Sequence, residues 1–174
     1  GDSEHVSIGS ISDEIRKLTI TINGFSKAYS MTGWRLGYTA ATKEIADAID
    51  TIQSHSTSNP TTFAQYGAIA ALTGDQSEIT DMVEEYNIRR QYVLGRLNSI
   101  ANISTIEPDG AFYFLINIEK TGIKSVNFAE KLLSRMQVAT IPGVAFRNDH
   151  SIRISYAASL PIIKEGLDRI EEFC

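Results

Sequence analysis

Apolar positions recur along this chain at two spacings, and the switches between them outline the elements. Leu18-Thr19-Ile20-Thr21-Ile22 alternates apolar residues with threonine, the period of a half-buried strand. Asn23-Gly24 then reads as a break. Trp34 to Ala40 reads as a second strand, with Trp34, Leu36 and Tyr38 on one face and Arg35 and Gly37 on the other. Ile45, Ile49 and Ile52 return at helical spacing behind Thr42, which stands where an N-cap belongs. Pro60-Thr61-Thr62 opens an alanine-rich helix that Gly74 closes. Asp75 and Glu78 have the spacing of a capping box. They start an amphipathic run marked by Ile79, Met82, Val83, Tyr86, Val93, Leu97 and Ile100. At the α-helical rise that run is roughly 35 Å long, enough to link two lobes.

The texture changes near residue 100. Ala111 to Ile118 is a nearly continuous apolar strand, residues 125 to 137 read as a helix and Val138 to Ile141 as a short strand. In Ser151 to Ala157, Ile152, Ile154 and Tyr156 share one face, and Arg153, Ser155 and Ala157 the other. A final helix carries Ile163, Leu167 and Ile170. Residues 1 to 17 read as polar and irregular. Strands and helices alternate throughout, so the predicted class is α/β or α+β, with a division between residues 1–100 and 101–174.

Composition narrows the possibilities mostly by exclusion. The 174 residues carry a net charge of −5, without the basic balance of a nucleic-acid binder. No apolar run reaches the ~18 residues of a bilayer span, and no signal peptide is visible, so a cytoplasmic location is expected. The one cysteine, Cys174, allows no intrachain disulfide and no paired-cysteine metal site, and no metal is expected. His5, His55 and His150 fall in polar surroundings and are expected to be solvated.

Two cations stand out. Lys27 follows the first strand among Gly24, Phe25, Ser26 and Ala28, and strand ends are where α/β sheets build their sites. Most lysines are solvated surface groups, but a lysine held there could serve the Schiff-base chemistry that an unprotonated amine performs. Arg35 lies between Gly33 and Gly37. A surface ion pair would account for it, yet a guanidinium beside glycines also suits a phosphate, which it binds through two parallel hydrogen bonds. Ser26 can add a hydroxyl. A lysine for a carbonyl and an arginine for a phosphate together suit pyridoxal 5′-phosphate.

The stretch "SKAYSMTGWRLGY" resembles the lysine motif of the class I/II (fold type I) pyridoxal-phosphate aminotransferases. "QSHSTSNPTTFAQYGAIAAL", "EPDGAFYFLINI", "IPGVAF" and "SIRISYAAS" follow in that family's order, so the resemblance covers residues 18 to 174. The texture is that of bacterial and plastid aspartate, or aspartate/prephenate, aminotransferases. The resemblance implies the C-terminal part of that α/β fold: the second half of the large domain plus a small α+β domain. It implies that Lys27 joins the cofactor and later moves the substrate proton, that Arg35 and Ser26 bind the cofactor phosphate, and that Arg153 pairs with the substrate's α-carboxylate. A strand arginine paired across the sheet would equally explain Arg153. The implied substrates are an amino acid and a 2-oxo acid, and the implied assembly is a homodimer, with Ser58-Asn59-Pro60 near its interface. Tyr29 is expected to pack rather than react. Phe112 suits a place beside the site or in the core.

The family's glycine-containing phosphate loop, its ring-stacking aromatic and the acid that holds the pyridine nitrogen have no counterpart in these residues. With Gly1 as the start, the chain is expected to be the C-terminal portion of a longer enzyme, inactive in isolation. Ser54 stands where one branch of the family has a substrate-gripping arginine. The same motifs serve β-elimination and decarboxylation, and an inactive folded module is the non-enzymatic alternative.

Overall fold

The computed structural model describes residues 3–174, and the stretch that reads as irregular from its sequence forms two short helices. Ile8–Ser10 is a 3-10 turn and α1 spans Asp13–Lys17. The Ser12 hydroxyl accepts the Ile15 N–H at 3.3 Å and caps α1. Asp13 and Glu14 fill its first turn, Arg16 and Lys17 its last, as the helix dipole favours. Hydrophobic period cannot reveal so short a helix; its cap and end charges make it.

Residues 4–174 fall into two compact units, Glu4–Asp81 and Met82–Cys174. In the first, β1 (Thr21–Gly24) pairs antiparallel with β2 (Gly37–Ala40), from Thr21↔Ala40 to Gly24↔Gly37. Asn23-Gly24 therefore continues the strand instead of breaking it. Gly37 permits this, since a Cβ there would lie 2.9 Å from the Asn23 carbonyl oxygen. A single helical turn, α2 (Phe25–Ala28), follows β1. The predicted strand from Trp34 is a correction: Thr32–Trp34 is a 3-10 turn, and β2 begins only at Gly37. Helix α3 (Lys43–Ser56) follows where the apolar spacing places it, and α4 (Thr62–Thr73) lies between Pro60 and Gly74 as the alanine-rich stretch predicts. Trp34 lies over Gly67 of α4, where a Cβ would approach its ring to 2.6 Å, and edge-on to Phe63 at 6.0 Å.

The long helix α5 spans Ser77–Ser99, and the boundary between units falls within it. Asp75 stands ahead of its first turn and accepts the Ser77 N–H at 3.1 Å and the Ser77 hydroxyl at 2.7 Å, in place of a capping box with Glu78.

The second unit is a four-stranded antiparallel sheet with helices on one face. Its strands are β3 (Ser104–Thr105), β4 (Tyr113–Asn117), β5 (Ile141–Pro142) and β6 (Ser151–Ser155), in the order β3-β4-β6-β5. Helices α6 (Ser125–Met136) and α7 (Leu160–Phe173) complete it. Strand β4 starts two residues later than its apolar run because Ala111 is left-handed, at φ 61°. The predicted strand over 138–141 shrinks to Ile141–Pro142. Phe114, Ile116 and Ile152 meet Val93 and Leu97 of α5, Phe128 and Leu132 of α6, and Ile163, Leu167 and Ile170 of α7 in one buried cluster. Tyr156 closes it, its hydroxyl donating to the Ala111 carbonyl at 2.7 Å.

The start of α6 is tied to the 143–151 loop through buried Ser125. Its hydroxyl donates to Asp149 Oδ1 at 2.7 Å, its N–H donates to the Asp149 carbonyl at 3.1 Å, and its Oγ accepts the Val144 N–H at 3.2 Å. The Ser125 hydroxyl is the main cause that holds the Asp149 carboxyl below the usual aspartate range, with Lys124 assisting. A depressed carboxyl stabilises the fold above the unfolded-state value and ceases to do so as pH falls through the folded value. Unfolding stability should therefore drop below about pH 4. Asp149→Asn should flatten that part of the pH profile, as read by thermal unfolding at stepped pH. His150 also departs from the solvated position expected for it: it is half-buried, with Nε2 3.2 Å from Lys124 Nζ.

Candidate functional site

The ladder between β1 and β2 continues past its last register pair, because the Phe25 N–H donates to the Leu36 carbonyl at 3.2 Å. Phe25 is buried among Tyr29, at 5.6 Å between ring centroids, and Tyr38, at 5.4 Å. That anchor fixes α2, which carries Ser26 half-buried and Lys27 exposed. Tyr29 packs as expected, and its hydroxyl reaches Gln76 at 3.5 Å.

Arg35 is not in mid-strand. It ends the 3-10 turn in a left-handed conformation, φ 53° and ψ 45°, two residues before β2. Its Nη1 donates to the Thr32 carbonyl at 3.1 Å and the side chain is exposed. Ser30, at φ 54°, is a second non-glycine residue in this region. Two such residues within six positions mark a loop held in an uncommon shape, the kind of strain that clusters at functional sites. The missed signal was the glycine pair: Gly33 and Gly37 flank a turn, where alternation alone suggested a continuous strand.

Lys27 and Arg35 thus stand at the same end of the β1–β2 ladder. One lies three residues beyond Gly24, the other two residues before its partner Gly37. The residues bearing a primary amine, a guanidinium and the Ser26 hydroxyl are thus placed by topology at one end of this ladder. This donor set matches the chemistry of an aldehyde that also bears a phosphate.

Arg153 belongs to the second unit, on β6, with Leu115 and Ile141 as its cross-strand partners. Both are apolar, so the arginine is not paired across the sheet with an acid. Its guanidinium lies instead over the rings of Tyr113, 4.2 Å from the centroid, and Phe146, 4.8 Å away. Neither aromatic was singled out from the sequence. The alternation of β4 could have placed Tyr113 on the face of Arg153; nothing local places Phe146. Phe112 packs against the second unit's core, 6.1 Å from Tyr86. Among the described residues no group of three or more His, Cys, Asp or Glu could hold a metal, and no helix is long and apolar enough to cross a membrane.

Comparison with known proteins adds to this geometry. The family description "Aminotransferase class I and II" matches residues 1–170. The chain is 45% identical to an aspartate aminotransferase of Bacillus sp. (strain YM-2), over 98% of this chain and 45% of that protein. It is 42% identical to a probable aspartate/prephenate aminotransferase of Aquifex aeolicus, covering 99% of this chain and 45% of the relative. A crystal structure of an aromatic aminotransferase from Pyrococcus horikoshii OT3 superposes with a TM-score of 0.93 at 38% identity, over 99% of this chain and 47% of that one. The chain spans about half the length of the relatives it matches.

Proposed function

We propose that this chain, which belongs to the class I and II aminotransferases, is the lysine-bearing part of an enzyme that moves an amino group between an amino acid and a 2-oxo acid. Enzymes of this family depend on pyridoxal 5′-phosphate. The observation that carries the proposal is the placement of Lys27 and Arg35 at one end of the β1–β2 ladder.

In this reading the cofactor, when bound, supplies an electron sink for the bond broken at the substrate's α-carbon. The Lys27 amine holds the cofactor and carries the proton to and from that carbon. The Arg35 guanidinium and the Ser26 hydroxyl bind the phosphate, a contact for which a planar cation is well shaped. Arg153 receives the α-carboxylate. The names of the relatives favour an aspartate- or glutamate-type substrate.

We assign residues 1–100 to the large cofactor-binding domain and residues 101–174 to the small C-terminal domain, in a homodimeric, cytoplasmic enzyme. Exposed Leu18, Ile22, Phe63 and Tyr66 in the first unit support a covered surface in the whole protein. Light scattering of the full-length protein tests the dimer.

The chemistry is tested on the full-length protein by adding pyridoxal 5′-phosphate, reducing with borohydride and mapping the peptides. The label is expected on Lys27, and exposure to aspartate before reduction should prevent it by converting the cofactor to its amine form. A label on another lysine, or none, overturns the proposal.

A further inference from the structure

The Arg153 guanidinium is half-buried on the face of the sheet opposite the helices, and among the described residues it makes no hydrogen bond and no ion pair. A buried or partly buried arginine ordinarily finds an acid. Arg90, Arg89, Arg96 and Arg169 in the same unit all do so. Arg153 is held by two aromatic rings instead. The difference has a chemical consequence. An acid would orient the side chain, but it would also occupy the donor fork and cancel the charge. A ring face attracts the cation through its quadrupole and uses none of the in-plane N–H groups. The side chain is thereby restrained while its donors stay open for a bidentate carboxylate.

The rings are themselves fixed by the fold. Tyr113 lies on β4 two residues before Leu115, the register partner of Arg153, and so projects to the same face as the arginine. Phe146 ends the 3-10 turn Gly143–Phe146. That turn is pinned at its start, where Gly143 packs so closely on Asn148 and Ser151 that a Cβ would overlap them. It is turned at its end by Arg147, at φ 60°.

We propose that Tyr113 and Phe146 are positioning residues that set the affinity of Arg153 for a substrate carboxylate by holding the guanidinium without neutralising it. This rests on the aminotransferase reading above. The clamp acts on binding in ground and transition states alike, so its loss raises KM more than it lowers kcat.

The test uses the full-length, cofactor-loaded enzyme with Tyr113→Leu, Phe146→Leu, Tyr113→Phe and Arg153→Leu. The readouts are KM and kcat for aspartate, the inhibition constant for succinate, which has carboxylates and no amino group, and the melting temperature. Each leucine variant is expected to raise KM and the succinate constant roughly 5- to 30-fold, the size of one cation–π contact. Tyr113→Phe keeps the ring face and should recover most of that loss. Phe146 stands at the half-exposed rim, so Phe146→Leu remains informative if Tyr113→Leu fails to fold. If both leucine variants leave the succinate constant within about twofold while Arg153→Leu raises it, the clamp is refuted and the aminotransferase reading stands. A lowered melting temperature with an unchanged succinate constant refutes it equally. If Arg153→Leu also has no effect, the carboxylate-binding role itself fails, and the clamp with it.

Discussion

Lys27→Ala in the full-length protein is expected to lower the transamination rate at least ~10³-fold, because in the proposed function one side chain both holds the cofactor and shuttles the substrate proton. The measurement is a single-turnover half-reaction with aspartate, followed by the change in cofactor absorbance. The variant should still retain pyridoxal phosphate, since the proposed phosphate contacts of Arg35 and Ser26 are independent of the amine. Lys27→Arg should be as slow, although it keeps the positive charge. Its guanidinium does not deprotonate under working conditions, so it supplies no nucleophile and no base. A loss below about tenfold for both variants would show that another group moves the proton. The α2 turn itself should survive either change: Phe25 anchors it, and Lys27 is exposed.

Phe128→Ala is expected to destabilise the second unit by ~3–5 kcal/mol, the usual range for deleting a buried phenyl ring. Phe128 is fully buried in α6 and meets Phe173 of α7 edge-on at 5.0 Å. The same cluster contains Ile116 of β4 and Ile152 of β6, so the cavity would open where sheet and helices join. Urea unfolding, with the slope checked for two-state behaviour, measures the loss. Phe128→Leu should cost distinctly less, since more of the volume is retained. A difference of less than about 1 kcal/mol for the alanine variant would mean that the site collapses onto the gap.

The two effects draw on different parts of the sequence signal. Helices α3, α5 and α7 were legible because each repeats its apolar residues at three- and four-residue spacing over several turns, and α4 because its alanine-rich stretch lies between Pro60 and Gly74. In α7 the pattern Ile163, Leu167, Ile170 is the buried face itself. The faces of β6 were equally plain, with Ile152 in the core and Arg153 turned away from it. Short elements were less so. The short polar helix α1 before residue 18 depends on Ser12 and on end charges, which leave no hydrophobic period. The turn at Thr32–Trp34 was hidden because Trp34, Leu36 and Tyr38 alternate as a strand would, although only Tyr38 lies in one.

The chain's order of residues determined the chemical inventory: a lysine after a strand, an arginine framed by glycines, a second arginine among alternating isoleucines, and too little basic charge for nucleic acid. These are properties of composition and local spacing, and they need no long-range contact. Tertiary structure alone decided the register that brings Gly24 opposite Gly37, the left-handed bend at Arg35 and the two rings that meet Arg153. Each of these depends on residues distant along the chain coming together, with backbone pairing and core packing selecting one arrangement from the many that the local pattern permits.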